Sequence, residues 1–391
     1  MSHTGIRLGR DICTNPAESD YREWWLANGL GGYAGGTVSG VLGRRYHGLL
    51  TVPLFPPLGR VLLLARADAD LLLGDRVIPL HTNHWSKGGH VPRGYRSIEE
   101  FFFDGSSSVW RFRVDKLLIE QRICMLHGRD ATSIAFRVVE GLDAQDERPG
   151  IRLGLVASFR DHHHVNRIRD FELRVDPVED GLRVALPQGS DLLIRSYNAQ
   201  FQVDNTWIEN FFLEMEQARG LEYIDNHVRT GFAEIELHAD RWTGLVVGTE
   251  RSLDLDCGVS LEAVAKRVAE LLAKALPGLD KDAAPAWIRQ LVIAADSFVF
   301  ARLDAGAGDR YSIIAGYPWF GAWGRDTMIA LPGLCLATGR HDIALRILKT
   351  FGAYVSEGML PNRFPGAGDE PEYNTVDAAL WFIEAWRAYF E

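Results

Sequence analysis

Between about Arg60 and Asp256 the chain alternates apolar and polar residues with a period of two. Trp110, Phe112 and Val114 are interleaved with Arg111 and Arg113, and the same pattern recurs at Ile134, Phe136 and Val138, at Ile151, Leu153 and Leu155, and at Leu182, Val184 and Leu186. A strand built this way has one dry face and one wet face, which is what an antiparallel sheet packed on a single core requires. Asp104-Gly105, Glu140-Gly141, Asp180-Gly181 and Gln188-Gly189 supply turns between the runs. Many short strands punctuated in this manner predict an antiparallel β-sandwich.

The period changes near Ser260, beyond which Leu261, Val264, Val268, Leu271 and Leu272 recur at helical spacing. Ser260 is the expected N-cap and Pro277-Gly278 the stop signal. Leu279–Ala284 reads as a linker. The rest is expected to be helical, over about Ala286 to Asp304, from Asp326 to near Gly339, from Asp342 to Glu357, and from near Asn374 to Glu391. Gly339 and Gly358 fall where a left-handed C-cap is needed. The chain therefore divides into a β-sandwich over 1–258, a linker helix and linker over 259–284, and a helical domain over 285–391. Leu380, Trp381, Ile383, Ala385 and Trp386 give the last helix an apolar face that needs cover. The expectation is a helical domain cut off before completion, with a homodimer as the alternative cover.

Charge and cysteine usage narrow the function. A net charge of -10 argues against a nucleic-acid backbone or an anionic membrane as partner. The four cysteines, Cys13, Cys124, Cys257 and Cys335, are far apart and show no CxxC spacing, so neither a zinc site nor a disulfide framework is expected of them. Reduced thiols and the lack of a charged, apolar leader after Met1 predict a cytoplasmic protein. The longest apolar runs, such as Val61–Ala65, are too short to span a bilayer. The 11 Trp and 11 Tyr suit flat sugar faces, although core packing accounts for them equally well.

Four segments carry candidate chemistry. Gly29-x-Gly31-x-x-Ala34, within Asn28–Gly36, formally fits a dinucleotide fingerprint. It neither follows an apolar strand nor opens a helix, so hairpin glycines are the better account. His162-His163-His164 invites a metal reading, but neighbours on a strand point to opposite faces and chelate one ion poorly, so a surface or interface role is expected. Ala315–Asp326 is a Gly- and Pro-containing loop with Tyr317, Trp319, Phe320, Trp323 and the pair Arg325-Asp326. Its aromatics can stack a sugar while Arg and Asp share two neighbouring hydroxyls, with Asp326 as a simple N-cap the bland alternative. Gly358–Pro365 and Glu372–Asp377 form a second such loop, in which Asn374 and Asp377 have capping-box spacing.

The segments Asn28–Gly36 with Arg44–Leu49, Ala315–Leu331 and Met359–Trp381 resemble the bacterial-type glycogen debranching enzymes, the amylo-α-1,6-glucosidase family, along essentially the whole chain. The resemblance implies an N-terminal antiparallel β-sandwich followed by an incomplete (α/α)6 toroid, which has about six helix pairs when whole. It implies that Arg325 and Asp326 hold the non-reducing-end glucose in a pocket lined by Tyr317, Trp319 and Trp323. Asn362, Arg363, Tyr373, Asn374 and Asp377 are the further substrate-binding residues it implies, and Tyr33 or the Arg44–His47 stretch is the sandwich's conjectured contribution. The catalytic acid and base are expected beyond Glu391. Inverting hydrolysis sets them about 6.5–9.5 Å apart, and neither role is assigned among Asp326, Glu372 and Asp377.

The implied function is hydrolysis of α-1,6-glucosidic branch stubs in glycogen-like α-glucans. No metal or organic cofactor is expected, because proton transfer between carboxylates and water suffices. The expected partner is glycogen or a limit dextrin, with a complementary C-terminal chain as a possible second. Two other readings stay open: a non-catalytic α-glucan-binding or split-chain fragment, and a disaccharide phosphorylase of similar architecture.

Overall fold

The computed structural model describes residues 5–55, 58–142, 148–169, 171–278, 284–302, 310–363 and 371–391. Two large antiparallel sheets enclose one core. The first has nine strands in the spatial order Arg7–Gly9, Ile98–Phe103, Ser108–Val114, Leu117–Met125, Ala131–Glu140, Thr243–Gly248, Asp191–Arg195, Gly181–Ala185 and Arg174–Val178. The second has ten: Glu23–Ala27, Tyr33–Thr37, Gly48–Phe55, Gly59–Leu73, Gly150–Asp161, Ile224–Glu236, Gln200–Phe212, Thr82–Trp85 and Gly89–Arg93, with Arg76–Pro79 paired off this path to Gly59–Leu73.

The alternation read from the sequence is what separates inside from outside. Trp110, Phe112 and Val114 are buried, and they meet Leu63, Leu71, Leu153 and Ala233 from the other sheet in a single apolar cluster. On the opposite face Arg111 lies opposite the buried Glu120 in register and donates from Nε to its Oε2 at 2.8 Å. All four turn dipeptides fall between paired strands or at a strand's edge. The glycines of Asn28–Gly36 lie in and after the tight turn joining Glu23–Ala27 to Tyr33–Thr37, as expected of a hairpin.

Eight α-helices, counted among the described residues, accompany the sheets: α1 (Arg10–Cys13), α2 (Pro16–Ser19), α3 (Glu214–Ala218), α4 (Cys257–Ala275), α5 (Ala286–Ser297), α6 (Gly324–Leu331), α7 (His341–Gly352) and α8 (Asp377–Phe390). α4 lies on the outer face of the first sheet, where Cys257 and Leu261 pack with Cys124, Ala135 and Val246. Met328, Leu331, Cys335, Ile347, Phe351, Ala378 and Ala385 form a separate core joining α6, α7 and α8. No helix among the described residues is long and apolar enough to cross a membrane.

Several expected boundaries are corrected. α4 starts earlier than Ser260: Asp256 is its N-cap, accepting from Gly258 N at 2.7 Å, while Ser260 is buried within the first turn. The helix from Ala286 stops at Ser297 rather than Asp304, and Val299–Arg302 pairs with Arg310–Ile313 as a β-hairpin. The β-prone run Val299-Phe300 is buried there, and Ala301 N donates to Gly29 O of the sandwich at 2.8 Å, a bond that helical propensity cannot anticipate. After α6, Pro332 lacks the N–H an α-turn needs and the chain widens into a π-turn over Pro332–Leu336. Gly339 then ends the segment at φ 71°. α7 ends at Gly352, not Glu357, and α8 begins at Asp377, not Asn374. Most of the proposed linker, residues 279–283, lies outside the described residues, as do Phe364 and Pro365. On α8, Leu380 and Ile383 are 65% and 66% exposed.

Candidate functional site

The two loops singled out in the sequence meet at the N-termini of α6 and α8. Gly324 makes this possible by close approach, since a Cβ there would stand 2.0 Å from Pro361 O. Its N–H donates to Asn362 O at 2.8 Å. Arg363 bridges Trp323 on one side and Glu372 on the other, so Pro361–Arg363 is held as the middle strand of a miniature ladder. Asn362 is buried, and its Nδ2 donates to Asn374 Oδ1 at 2.9 Å, pinning the start of the α8 segment.

This frame brings charges of both signs together. Arg325 Nη1 lies 3.6 Å from Asp377 Oδ2, and Arg363 Nη1 lies 3.6 Å from Glu372 Oε1. Asp326 and Asp377 occupy the first turns of α6 and α8, where the helix dipole favours a negative charge. Asp326 is not the N-cap, a position held by Trp323 without a side-chain bond. Nor do Asn374 and Asp377 form a capping box: Val376 precedes the helix, and the Asn374 amide is engaged by Asn362. Thr327 Oγ1 and Thr375 Oγ1 are buried without a hydrogen-bond partner among the described residues. The arrangement presents a guanidinium, exposed carboxylates and amides at one surface, the donor and acceptor set that vicinal hydroxyls take.

Tyr317 and Trp319 of the first loop go elsewhere. Tyr317 packs edge-on against Tyr33 of the sandwich at 5.9 Å, and burial pushes its phenol up to about 12. Trp319 remains 37% exposed and is covered on one side by the Arg44 guanidinium at 5.4 Å. Tyr46 meets its ring edge-on at 6.2 Å. Tyr373 turns its hydroxyl onto Tyr354 O at 2.6 Å, a bracing contact. Of the expected pocket set, Trp323, Arg325, Asp326, Asn362, Arg363, Asn374 and Asp377 therefore lie together, while Tyr317 and Trp319 sit where the loop docks on the sandwich.

Sequence reasoning missed the residue that makes this docking. Arg60 is 2% exposed and donates from Nε to Gly31 O at 2.8 Å and from Nη1 to Pro318 O and Phe320 O at 3.3 and 3.2 Å. Its guanidinium also lies over the Tyr33 and Tyr317 rings, and burial lowers its pKa. A lone charge at the head of the apolar run Val61–Ala65 was the available signal. Nearby, His47 Nδ1 accepts from Gly43 N at 3.0 Å and Nε2 donates to Glu23 Oε1 at 2.7 Å, which fixes the tautomer. Burial alone would raise the Glu23 carboxyl, but the hydrogen bonds from His47 and Arg44 and the charge of Arg44 outweigh it and hold it low. Of the histidine triplet, His162 is buried against Tyr33 Oη at 3.0 Å, and desolvation drives its imidazole down to about 2, so it stays neutral.

Two family models match parts of the chain. Residues 22–243 match the family model described as glycogen debranching enzyme N terminal, and residues 293–391 match the one described as amylo-alpha-1,6-glucosidase. Over 83 residues the chain is 40% identical to the glycogen debranching enzyme of Saccharomyces cerevisiae, a match covering 20% of this chain and 5% of the yeast protein. Among solved structures, a bacterial glucoamylase complexed with acarbose aligns with 99% of this chain and 55% of its own, at 12% identity and a TM-score of 0.45. A gh92 family glycosyl hydrolase aligns with 72% of this chain and 40% of its own, at 10% identity and a TM-score of 0.32. The N-terminal match alone spans more than half of the sequence, and the chain belongs to the glycogen debranching enzyme family.

Proposed function

We propose that this protein holds the α-1,6-linked glucose of a branch stub in a glycogen-like α-glucan, as the substrate-binding part of an amylo-α-1,6-glucosidase. The observation that carries the reading is the convergence of Arg325, Asp326, Asn362, Arg363 and Asp377 at two adjacent helix starts. It falls inside the residues matched to the glucosidase model. On this reading residues 1–258 form the bracing sandwich, 259–284 the connection, and 285–391 the opening helices of an (α/α)6 toroid in a cytoplasmic enzyme. Trp323 shapes the glucose pocket, and Tyr317, Trp319 and Tyr373 hold its wall in place. The debranching reaction consumes water and needs one carboxyl as acid and one as base.

A second reading, glucan binding without hydrolysis by these residues, has one observation in its favour. A carboxyl kept protonated to serve as general acid is raised by burial or by a neighbouring carboxylate. Asp326 is exposed, and the Glu372 and Asp377 side chains are 41% and 48% exposed. Glucose release from a phosphorylase limit dextrin, measured beside retardation in glycogen-containing gels, separates the two. Release abolished by Arg325→Ala supports the hydrolase. Retardation without release, again lost in Arg325→Ala, supports the binder. Neither release nor retardation overturns both.

A further inference from the structure

We propose that Asp20, His84 and His90, with Glu214 completing the set, form a binding site for a divalent transition-metal cation of the Zn2+ class, built on elements other than the two helix starts and independent of the glucan reading. His84 and His90 are register partners across the hairpin of Thr82–Trp85 and Gly89–Arg93. Cross-strand partners project from the same face, and here the two imidazoles stack with centroids 4.2 Å apart and planes 22° from parallel. Asp20 stands at the C-cap of α2, and its Oδ2 accepts from His90 Nε2 at 2.7 Å. One ligand atom from each of these three residues lies within 4.8 Å of the others. Tetrahedral zinc, with bonds of about 2.0–2.1 Å, needs ligand atoms roughly 3.3 Å apart, a spacing that small side-chain rotations supply.

A plain hydrogen bond between Asp20 and His90 explains only half of the cluster. Asp20 is 4% exposed, yet its Oδ1 is buried with no hydrogen-bond partner among the described residues. Glu214, first residue of α3, has Oε2 3.9 Å from His84 Nδ1, beyond hydrogen-bonding range. Its Oε1 accepts from Tyr21 Oη at 2.8 Å, which aims the carboxylate at the cluster and leaves the second oxygen available. Phe212 and Tyr95 close the sides with their rings, at 4.8 Å from His84 and 6.0 Å from His90. Two imidazoles and two carboxylates in an aromatic surround make a borderline-soft N/O donor set suited to zinc, and a four-protein-ligand site is a closed, structural one.

On binding, the Asp20–His90 hydrogen bond opens. His90 Nε2 gives its lone pair to the cation and carries its proton on Nδ1, while the Asp20 side chain turns its oxygens to the cation. The cation cross-links α2, the Thr82–Arg93 hairpin and α3, segments that are distant in sequence. The cysteines do not compete, since all four are buried as free thiols.

The test uses the full 391-residue chain, stripped with a chelator and titrated calorimetrically with ZnCl2. One ion per chain is expected, with a higher melting temperature for the zinc-loaded protein and tetrahedral visible absorption for the Co2+-loaded protein. His84→Gln and Asp20→Asn are expected to weaken zinc about tenfold or more, while His164→Ala, on an exposed side chain, leaves affinity unchanged. Because Asp20 is buried, circular dichroism of each variant accompanies the titration, and the partly exposed His84 carries the decision if Asp20→Asn fails to fold. Failure of the folded wild type to bind zinc, unchanged affinity in folded His84→Gln, or loss of binding in His164→Ala overturns the proposal.

Discussion

Arg325 Nη1 stands 3.6 Å from Asp377 Oδ2, joining the first turn of α6 to the first turn of α8 across 52 positions of sequence (377 − 325). Both side chains are nearly half exposed, so the pair supplies little stability, about 1 kcal/mol at most. On the proposed function its value is positional: a guanidinium and a carboxylate share one surface and would exchange each other for sugar hydroxyls. Arg325→Ala and Asp377→Asn are therefore expected to leave the urea midpoint nearly unchanged. Each lowers glucan affinity or limit-dextrin hydrolysis about tenfold or more, the loss of one charged hydrogen bond. A large fall in stability with intact affinity contradicts this assignment.

Gly324→Ala tests the frame under that pair. The added methyl meets Pro361 O at 2.0 Å, so the Gly324–Asn362 bond has to open and α6 has to move. Overpacking of this kind costs about 1–3 kcal/mol. The expected result is a lower denaturation midpoint together with weakened glucan binding. Normal binding in this variant means that Arg325 does not depend on the ladder.

Arg60→Leu separates docking from folding. Losing the guanidinium leaves the Gly31, Pro318 and Phe320 carbonyls without their buried donor, at about 1–3 kcal/mol for each that stays unpaired. Denaturation followed by tryptophan fluorescence and by far-UV circular dichroism should lose coincidence, because the loop bearing Trp319 leaves the sandwich before the sheets unfold. Coincident, unshifted transitions argue against Arg60 as the connector.

Asp130 gives a pH signature. Desolvation raises its carboxyl from 3.8 to about 6 against the opposing Asn28 hydrogen bond. Below pH 3.8 both folded and unfolded forms are protonated and nothing is lost. As pH rises through about 6 the unfolded chain is ionised while the folded one has resisted, so this group's contribution to stability disappears. Asp130→Asn removes that loss and can still accept from Asn28. Its stability relative to wild type should climb between about pH 4 and 6 and then level off. A flat difference curve excludes the shift.

The thiols should be silent in the native state. Burial raises Cys13 and Cys335 to about 11 and Cys257 to about 12, and pushes Cys124 up as well. A chromogenic disulfide reagent at neutral pH is expected to titrate all four only at the rate of unfolding, since thiolate is the reactive form.

Much of this protein is local enough to be written in its sequence. The alternation at Trp110–Val114 and Ile151–Leu155 fixes strand faces because neighbouring side chains on a strand point to opposite sides whatever lies across the sheet. The Gly- and Pro-rich loops ahead of α6 and α8 were likewise legible, with their polar and aromatic cargo. Helix starts were less so. Asp256 and Ser260 are equally good caps by composition, and only the Asp256–Gly258 bond chooses between them.

Tertiary structure decided what those loops do. Propensity cannot tell that Val299–Arg302 leaves a helix for a hairpin, because the reason is a bond to Gly29 in a turn of the sandwich. Nor can spacing tell that Tyr317 serves the sandwich while Arg325 meets Asp377, or that Asp20 finds His90. Each of these pairs depends on two chain directions fixed independently by packing, and the physical chemistry of a residue's own neighbourhood carries no information about a partner dozens of residues away.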